Sequence, residues 1–285
     1  PVLEQAIREK AEFLIGGTKK RLNDRVYGIL RDVVVLVTVK VPAAKGALPT
    51  DKDWRTAAEL RTGLEKGLEG LGLAPTPLDQ HLYLHIMGSM INWGKNASWR
   101  NGGPHYDPKN LLNQQVVDFD TDIKIVENGL ILGDKHVRVL SPKRYPDYVS
   151  LANMLVMLGD VRHGRDGIAG NFLSTMNVYF PDAVAERTKH ESKRTVVNYQ
   201  AMGPVAALNS KLRQKREDYD NLFEGVANGD RLVKMQHTYV LFADSESEAT
   251  KAVSGMISYY RDLHYHVQDD KYISLPLFIG ALPFG

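Results

Sequence analysis

The chain has 285 residues, 43% hydrophobic and 25% charged, and these ordinary globular values exclude a disordered tail, a collagen-like rod and a coiled-coil rod. The net charge of +2, from 36 basic and 34 acidic residues, is too balanced to indicate nucleic acid or anionic lipid by itself. The lack of cysteine excludes disulfides, a thiol nucleophile and cysteine-based metal sites.

The first predicted elements are two helices with a strand between them. Apolar residues spaced by three and four predict a helix over residues 2–30. The β-branched run at residues 33–41, closed by Pro42, predicts a strand that is buried on both faces. Leucines at helical spacing over residues 51–71 then predict a second helix that faces a core.

A third helix and a long loop follow. Thr76 and Pro77 form a strong helix start, because threonine can cap the helix and proline is favoured at its first position. The helix is predicted to end near Asn92. Residues 93–108 contain two of the three tryptophans together with glycine, asparagine and proline, and long loops of this kind in compact domains are often functional.

A three-stranded antiparallel meander near residues 122–141 is the clearest local pattern. Apolar and polar residues alternate along it, and Asn128-Gly129 favours a type I′ hairpin turn. Pro142 predicts the end of the ladder, because proline cannot donate a backbone hydrogen bond.

The complete pattern predicts an α/β protein of the α+β kind, with mixed, largely antiparallel sheets and packed helices. A shift in composition predicts two subdomains, residues 1–105 and residues 106–285. The remaining predicted elements are, in chain order, a short helix at 150–158, a strand at 172–180, a largely helical segment at 182–228 broken near Gly203-Pro204, a strand at 232–243, a helix with Ser245 and Glu248 at capping-box spacing, and a strand at 264–267.

No catalytic residue and no cofactor site is assigned in this chain. A P-loop requires G-x-x-x-x-G-K-[ST], whereas residues 88–96 have five residues between the glycines and asparagine in place of the magnesium-binding hydroxyl. The glycine-rich stretch at 164–170 follows a predicted helix and leads into a strand, which is the reverse of the order in a dinucleotide-binding loop. A connecting loop is the favoured interpretation of that stretch.

Two groups of side chains are of the types that bind metal ions. His81 and His85 lie one helical turn apart, but no third ligand follows at a diagnostic spacing, so a solvated or interface face is favoured over a metalloenzyme site. Asp118, Asp120 and Asp122 alternate before the meander. They could hold magnesium, although solvation at a turn or strand edge is commoner for aspartate. No metal site is assigned.

The aromatic residues of the long loop are candidates for contact with a partner protein. Trp93, Trp99 and Tyr106 lie among glycines and asparagines, and aromatic side chains are enriched in the cores of protein interfaces. The alternative is that the tryptophans pin the loop to the protein's own core. Both interpretations stay open at the level of the sequence.

Basic residues cluster in the helical segment around 189–216. A nucleic-acid groove needs such charges on one face with interleaved aromatics, whereas here acidic residues dilute them. A solvated helix face is favoured, and a nucleic-acid-binding module is kept as the alternative function. Its candidate contacts are Lys189, Lys193, Arg194, Lys211 and Lys215.

Six stretches, in their order and spacing, resemble one family. They are Leu73-Ala-Pro, Leu111-Leu-Asn-Gln-Gln with Asp118 and Asp120, Arg138-Val-Leu-Ser-Pro-Lys-Arg-Tyr-Pro, Leu158-Gly-Asp, Asn177-Val-Tyr-Phe-Pro-Asp, and Leu275-Pro-Leu-Phe-Ile-Gly-Ala-Leu-Pro-Phe-Gly. Together they resemble the N-terminal region of the TraC family, the pilus-assembly ATPases of F-type conjugative type IV secretion systems. The resemblance covers most of the chain, and none of the stretches is a catalytic signature.

The resemblance implies a division of labour. An N-terminal α/β region docks onto inner-membrane and core-complex subunits, and a C-terminal motor with Walker motifs uses ATP and magnesium. Because the chain begins at Pro1 and ends within an apolar stretch, we expect a part of a longer protein that stops before the motor. The resemblance also implies a bacterial cytoplasmic protein, peripheral at the inner membrane and oligomeric at full length. No run approaches the ~20 apolar residues of a membrane helix.

Overall fold

The computed structural model describes residues 2–19, 33–40, 49–103, 105–148, 156–159, 167–202 and 210–284. These residues form seven α-helices and a six-stranded sheet, which confirms the predicted α+β class. The helices are α1 (Val2–Lys19), α2 (Asp51–Gly70), α3 (Gln80–Ile91), α4 (Ala183–Met202), α5 (Ser210–Ala227), α6 (Glu246–Asp262) and α7 (Ser274–Ala281). The strands are β1 (Ile123–Val126), β2 (Gly129–Leu132), β3 (Lys135–Arg144), β4 (Asn171–Tyr179), β5 (Lys234–Ala243) and β6 (His266–Asp269).

The chain divides into two compact units. The first consists of Pro1–Thr175 and Thr238–Gly285, and the second of Met176–His237. Helices α4 and α5 belong to the second unit, and strands β4 and β5 lead the chain into it and out of it. The predicted boundary between residues 105 and 106 is a different division of the chain, and it stays a prediction.

The sheet has the strand order β1-β2-β3-β5-β4, with β6 paired to β3. Strand β3 pairs antiparallel with β5 along one edge, while β2 and then β6 pair with successive halves of its other edge. The prediction that Pro142 ends the ladder is wrong, because β3 continues and Pro142 lies opposite Val267. Proline is accommodated there because the register shifts between Pro142 and Arg144, as it does at a β-bulge.

The predicted meander is confirmed, and its first turn differs from the expected type. Val126 pairs with Gly129, and neither Asn128 nor Gly129 has the positive φ that a type I′ turn requires. Gly129 has another reason to be glycine. A Cβ atom at this position would lie 2.1 Å from the carbonyl oxygen of Val137 on the neighbouring strand. The glycine therefore permits close approach of two backbones rather than a left-handed conformation.

Replacing Gly129 by alanine is expected to lower the free energy of unfolding by about 2 kcal/mol, because the added methyl group forces β2 away from β3. Urea denaturation of the purified chain measures the change. Gly63→Ala in α2 is the matched control, since nothing lies within 4 Å of the added Cβ there. Equal denaturation midpoints for the two variants would contradict the close approach of β2 and β3.

Two hydrophobic clusters cover opposite faces of the sheet. Because side chains alternate along a strand, Val137 and Val139 of β3 face one cluster and Leu140 faces the other. Helices α3 and α7 supply the first cluster with residues such as Leu84 and Phe278. Helix α6 supplies the second. The first unit therefore buries its sheet centre between helices on both sides.

Tyrosines dominate the second cluster. The ring of Tyr260 packs edge-on against Tyr239 and Tyr265, with centroid distances of 5.1 and 5.7 Å. Its hydroxyl group donates a hydrogen bond to the carbonyl oxygen of Met157 at 3.0 Å. Burial raises the pKa of Tyr239, so this hydroxyl group stays protonated. The cluster thereby holds residues 156–159 against α6 without placing a charge in the core.

Several predicted elements are confirmed, with small changes in their bounds. These are α2 as a helix, the two helices within 182–228, strands β4, β5 and β6, and helix α6. Ser245 caps α6 by accepting a hydrogen bond from the N–H of Glu248 at 3.2 Å. Predictions for residues 20–32, 41, 149–155 and 203–209 lie outside the described residues, and these include most of the short helix at 150–158 and the break near Gly203-Pro204.

Three predictions near the N-terminus are wrong. Residues 33–40 form no strand and are largely exposed, because a β-branched run needs a partner strand and the described residues supply none. Helix α2 buries none of its residues, so its leucine face does not reach the core in this structure. Helix α3 begins at Gln80 rather than after Thr76, because Asp79 caps it by accepting from the N–H of Leu82.

Candidate interaction site

Asn92, directly after α3, is the centre of a polar network near the predicted contact loop. It is 1% exposed. Its amide oxygen accepts hydrogen bonds from the hydroxyl group of Thr121 at 2.7 Å and from the N–H of Asp118 at 3.2 Å. Its amide nitrogen donates to the carbonyl oxygen of Val116 at 2.9 Å. One side chain therefore joins the end of α3 to the segment that precedes the meander.

Asp118 fixes the same segment to the tryptophan loop. Its two carboxylate oxygens accept hydrogen bonds from the backbone N–H and the hydroxyl group of Ser98, both at 2.8 Å. Ser98 begins the short 3₁₀ helix Ser98–Asn101. Of the alternating aspartates, Asp120 is exposed and Asp122 lies 2.9 Å from the ammonium group of Lys124. The described residues contain no group of three histidine or carboxylate side chains placed to hold a metal ion.

Gln115 holds together the loop that follows Tyr106. Its amide oxygen accepts from the N–H of Asp107 at 2.8 Å, and its amide nitrogen donates to the carbonyl oxygens of Asp107 and Asn110, each at 2.9 Å. Both polar atoms of one side chain thus bind backbone groups of a loop. This matches the use of Asn92 and Asp118, and it makes residues 107–121 a braced surface segment.

Trp93 packs against the sheet, and Trp99 packs against Trp93. The ring of Trp93 lies 5.4 Å from that of Phe242 on β5 and 5.7 Å from that of Trp99, edge-on. The indole N–H of Trp93 donates to the carbonyl oxygen of Met90 at 3.2 Å, and that of Trp99 donates to the carbonyl oxygen of Asn92. Both rings are half-buried. These contacts provide the intramolecular anchoring that the sequence left as one of two interpretations.

Two cations lie against the tryptophan rings, and a histidine lies against Tyr106. The guanidinium group of Arg100 lies 4.5 Å from the centroid of Trp99, and the ammonium group of Lys135 lies 5.2 Å from that of Trp93, as in cation–π pairs. Tyr106 is half-buried, with the ring of His81 at 5.9 Å. A partner-contact role for Trp93, Trp99 and Tyr106 stays a prediction.

Phe119 is the exposed residue that the sequence analysis missed. Its relative exposure is 108%, although the neighbouring Asp118 is held by two hydrogen bonds. Val117 is also exposed, at 47%. The available signal was a large apolar residue between two aspartates, outside any strand or helix. A phenylalanine displayed on a braced segment contributes little to folding, and a partner protein could bury it at low entropic cost.

The basic candidates of α4 and α5 lie in the second unit, among carboxylates. The guanidinium group of Arg194 binds Asp220 of α5 and lies 4.9 Å from the ring of Phe223. Lys189 lies 3.7 Å from Glu186. Lys193, Lys211 and Lys215 are exposed. Because carboxylates offset the cations, the arrangement is that of a solvated helix face, and the nucleic-acid contacts stay a prediction that the structure does not favour.

Arg138, the first residue of one of the family-like stretches, is a buried cation in β3. It is 6% exposed. One guanidinium nitrogen donates to Glu246 at 2.8 Å, and two others donate to the carboxylate of Asp269. This bidentate pairing of a guanidinium group with a carboxylate favours arginine over lysine. Arg138 therefore joins three elements: β3, the beginning of α6 and the end of β6.

Asp270, next to the partly buried Asp269, is a buried carboxylate, at 3% exposed. It accepts hydrogen bonds from the hydroxyl group of Ser141 and, at 2.9 Å, from the ammonium group of Lys143. Its backbone N–H donates to Val139 at 2.9 Å. Three polar residues of the stretch that begins at Arg138 thus have structural partners near the end of β6: Arg138, Ser141 and Lys143.

A comparison with family models decides the relationship of the chain. A model described as TraC protein matches residues 1–285. The chain belongs to the TraC family. Membership in TraC, a family of F-type conjugation proteins, assigns it to conjugative type IV secretion and pilus assembly. Comparison with curated proteins gave no match. None of the helices in the described part of this TraC-family chain is long and apolar enough to span a membrane.

Proposed function

We propose that this chain is the N-terminal docking and assembly module of a conjugation ATPase, and that it supports pilus biogenesis and conjugative DNA transfer without catalysis of its own. The observation that carries the proposal is the match to the TraC family along all 285 residues. ATP and magnesium then belong to a further, C-terminal domain. The partners are inner-membrane and core-complex subunits of the secretion system.

The chemistry of the described residues supports an adaptor rather than a reactive centre. Arg138 is paired with Glu246 and Asp269, and the carboxylate of Asp118 accepts two hydrogen bonds from Ser98. These polar groups hold separate parts of the fold together, which is the use expected of them in a module that presents a surface to partners. In the full-length protein we further propose a homo-oligomer, located in the cytoplasm and peripheral at the inner membrane.

Purified chain is expected neither to bind nor to hydrolyse MgATP, whereas the full-length protein does both. Calorimetric titration measures binding, and phosphate release measures turnover. The physical reason is that tight phosphate binding needs a cradle of backbone N–H groups with a lysine, and the sequence contains no such loop. Turnover by the chain that a point substitution within it abolishes would contradict the proposal.

Donor cells test the docking half of the proposal. Deletion of residues 1–285 from the full-length protein is expected to abolish conjugative transfer while the remaining part still hydrolyses ATP. A full-length protein with its Walker lysine substituted serves as the opposite control, since it keeps docking and loses hydrolysis. Normal transfer by the deletion protein would show that this region is dispensable for conjugation.

A further inference from the structure

Strand β1 is an edge of the sheet with an unusually apolar exposed surface. It stands at the end of the strand order and pairs only with β2 among the described strands. All four of its residues are exposed, and Ile125 reaches 61%. An edge of this kind can accept a further strand from another chain.

The backbone groups that face outward from β1 can be assigned from the ladder. Asp122 accepts a hydrogen bond from the N–H of Gly133 at 2.9 Å, on the side of β2. Because successive residues of a strand face opposite sides, Ile123 and Ile125 direct their N–H and C=O groups away from β2. At the end of this outer edge, the carbonyl oxygen of Glu127 already accepts from the N–H of Tyr272 at 3.0 Å.

The residues around this edge combine apolar side chains with negative charge. Between residues 117 and 127 there are four carboxylates and one lysine. That lysine is paired with Asp122, and Lys271 lies 3.9 Å from Glu127, so the negative charge is concentrated at Asp118 and Asp120. Phe119 is fully exposed beside them. A second copy of the same edge would bring carboxylates against carboxylates. A segment with apolar and basic residues in alternation would instead complement both the charge and the apolar surface.

We propose that the outer edge of β1 binds an extended segment of a partner protein, rich in lysine or arginine and apolar residues, which adds to the sheet as a further strand. This inference rests on the proposed docking function and names the surface that performs it. Backbone hydrogen bonds to Ile123 and Ile125 hold the segment. Phe119 contacts its apolar side chains, and Asp120 attracts its cations. Bracing by Asn92 and Asp118 keeps this surface ordered before binding.

Two synthetic peptides test the surface with the purified chain. One alternates lysine and valine, the other alternates glutamate and valine, and fluorescence anisotropy measures the dissociation constants. The basic peptide is expected to bind at least about tenfold more tightly, and its affinity falls as salt is raised. Equal affinities for the two peptides would overturn the proposal.

Three variants locate the binding to β1. Ile125→Pro removes an outward N–H and keeps the hydrogen bonds to β2. It is therefore expected to weaken the binding of the basic peptide about tenfold or more. Phe119→Ala and Asp120→Lys are also expected to weaken the binding of the basic peptide, and they change only side chains. Leu111→Ala is the matched control, because Leu111 is an exposed apolar residue of the same braced segment. Wild-type affinity in Phe119→Ala and Asp120→Lys would overturn the proposal.

Self-association and conjugation separate the remaining outcomes. A concentration-dependent dimer that Ile125→Pro abolishes would make a second copy the occupant and overturn the proposal. In donor cells, Phe119→Ala in the full-length protein is expected to reduce transfer, and Leu111→Ala to leave it unchanged. Normal transfer by Phe119→Ala, together with lost transfer on deletion of residues 1–285, would overturn the β1 surface alone. Normal transfer by both the Phe119→Ala protein and the protein that lacks residues 1–285 would overturn the proposed function, whatever the result with the peptides.

Discussion

Substituting Arg138 by methionine is expected to lower the free energy of unfolding by about 3 to 5 kcal/mol, the largest loss among the substitutions considered. Methionine keeps the apolar stem of the side chain and removes its charge. The carboxylate of Asp269, whose side chain is 15% exposed, then loses the partner that compensates its burial. Urea denaturation followed by circular dichroism measures the loss.

Arg144→Met on the same strand is the control for Arg138→Met. Its side chain is 67% exposed and its carboxylate partner, Asp147, lies at 3.6 Å, so the change is expected to stay within about 0.5 kcal/mol. Arg138→Lys is expected to fall between the two, because it keeps the charge and loses the paired geometry. Addition of Asp269→Asn to Arg138→Met is expected to recover part of the stability. Equal midpoints for Arg138→Met and Arg144→Met would refute the buried ion pair.

Asn92→Ala is expected to destabilise the chain by about 3 kcal/mol, because three hydrogen bonds are lost. The carbonyl oxygen of Val116 and the N–H of Asp118 each lose the bond that they make with the Asn92 side chain. The surface segment that Asn92 braces then loosens. Stability is measured by urea denaturation, and local loosening by amide hydrogen exchange at residues 116–121.

Asn96→Ala is the matched control, since Asn96 is exposed in the same loop. It is expected to change stability by less than about 0.5 kcal/mol. Faster exchange at residues 116–121 in Asn92→Ala, and not in Asn96→Ala, would assign the effect to the network rather than to the loop in general. If both variants unfold at the same urea concentration, the side chain of Asn92 does not hold this segment.

The family-like stretches contribute long-range contacts rather than a catalytic motif. Gln115 and Asp118 brace the surface beside the tryptophan loop, and Arg138 and Lys143 bind the consecutive aspartates near the end of β6. Four positions from two stretches of the resemblance, Asp118, Arg138, Ser141 and Lys143, therefore hold separate elements together, whereas Gln115 holds a single loop. This explains how a family can be recognised from residues that hold its fold together.

Local patterns predicted the elements whose formation depends on near neighbours. The meander, α4, α5 and α6 follow from spacing, turn residues and caps that act over a few positions. The strand predicted from the β-branched run does not form at residues 33–40, because β-branched residues favour a strand only when another strand pairs with them. Helix α2 shows the same limit, since its apolar spacing predicted the helix and could not specify what its leucines contact.

The candidate site depended more strongly on distant partners. Spacing and composition predicted a long loop at 93–108 with candidate contact tryptophans. For Asn92 they predicted only the end of a helix. Its partners lie 24 to 29 residues away in the chain. Nothing in the local sequence distinguishes such an asparagine from an ordinary helix terminus.

The sequence by itself determined an α+β chain with balanced charge, a three-stranded meander and, through six dispersed stretches, membership in a conjugation family. Only the tertiary structure decided that Arg138 is buried against Asp269, 131 residues away, and that β1 is left as an acidic, apolar edge. The physical reason is that backbone preferences act over a few residues. Partners this distant meet only once the sheet has formed, and the order of its strands decides which edge remains open.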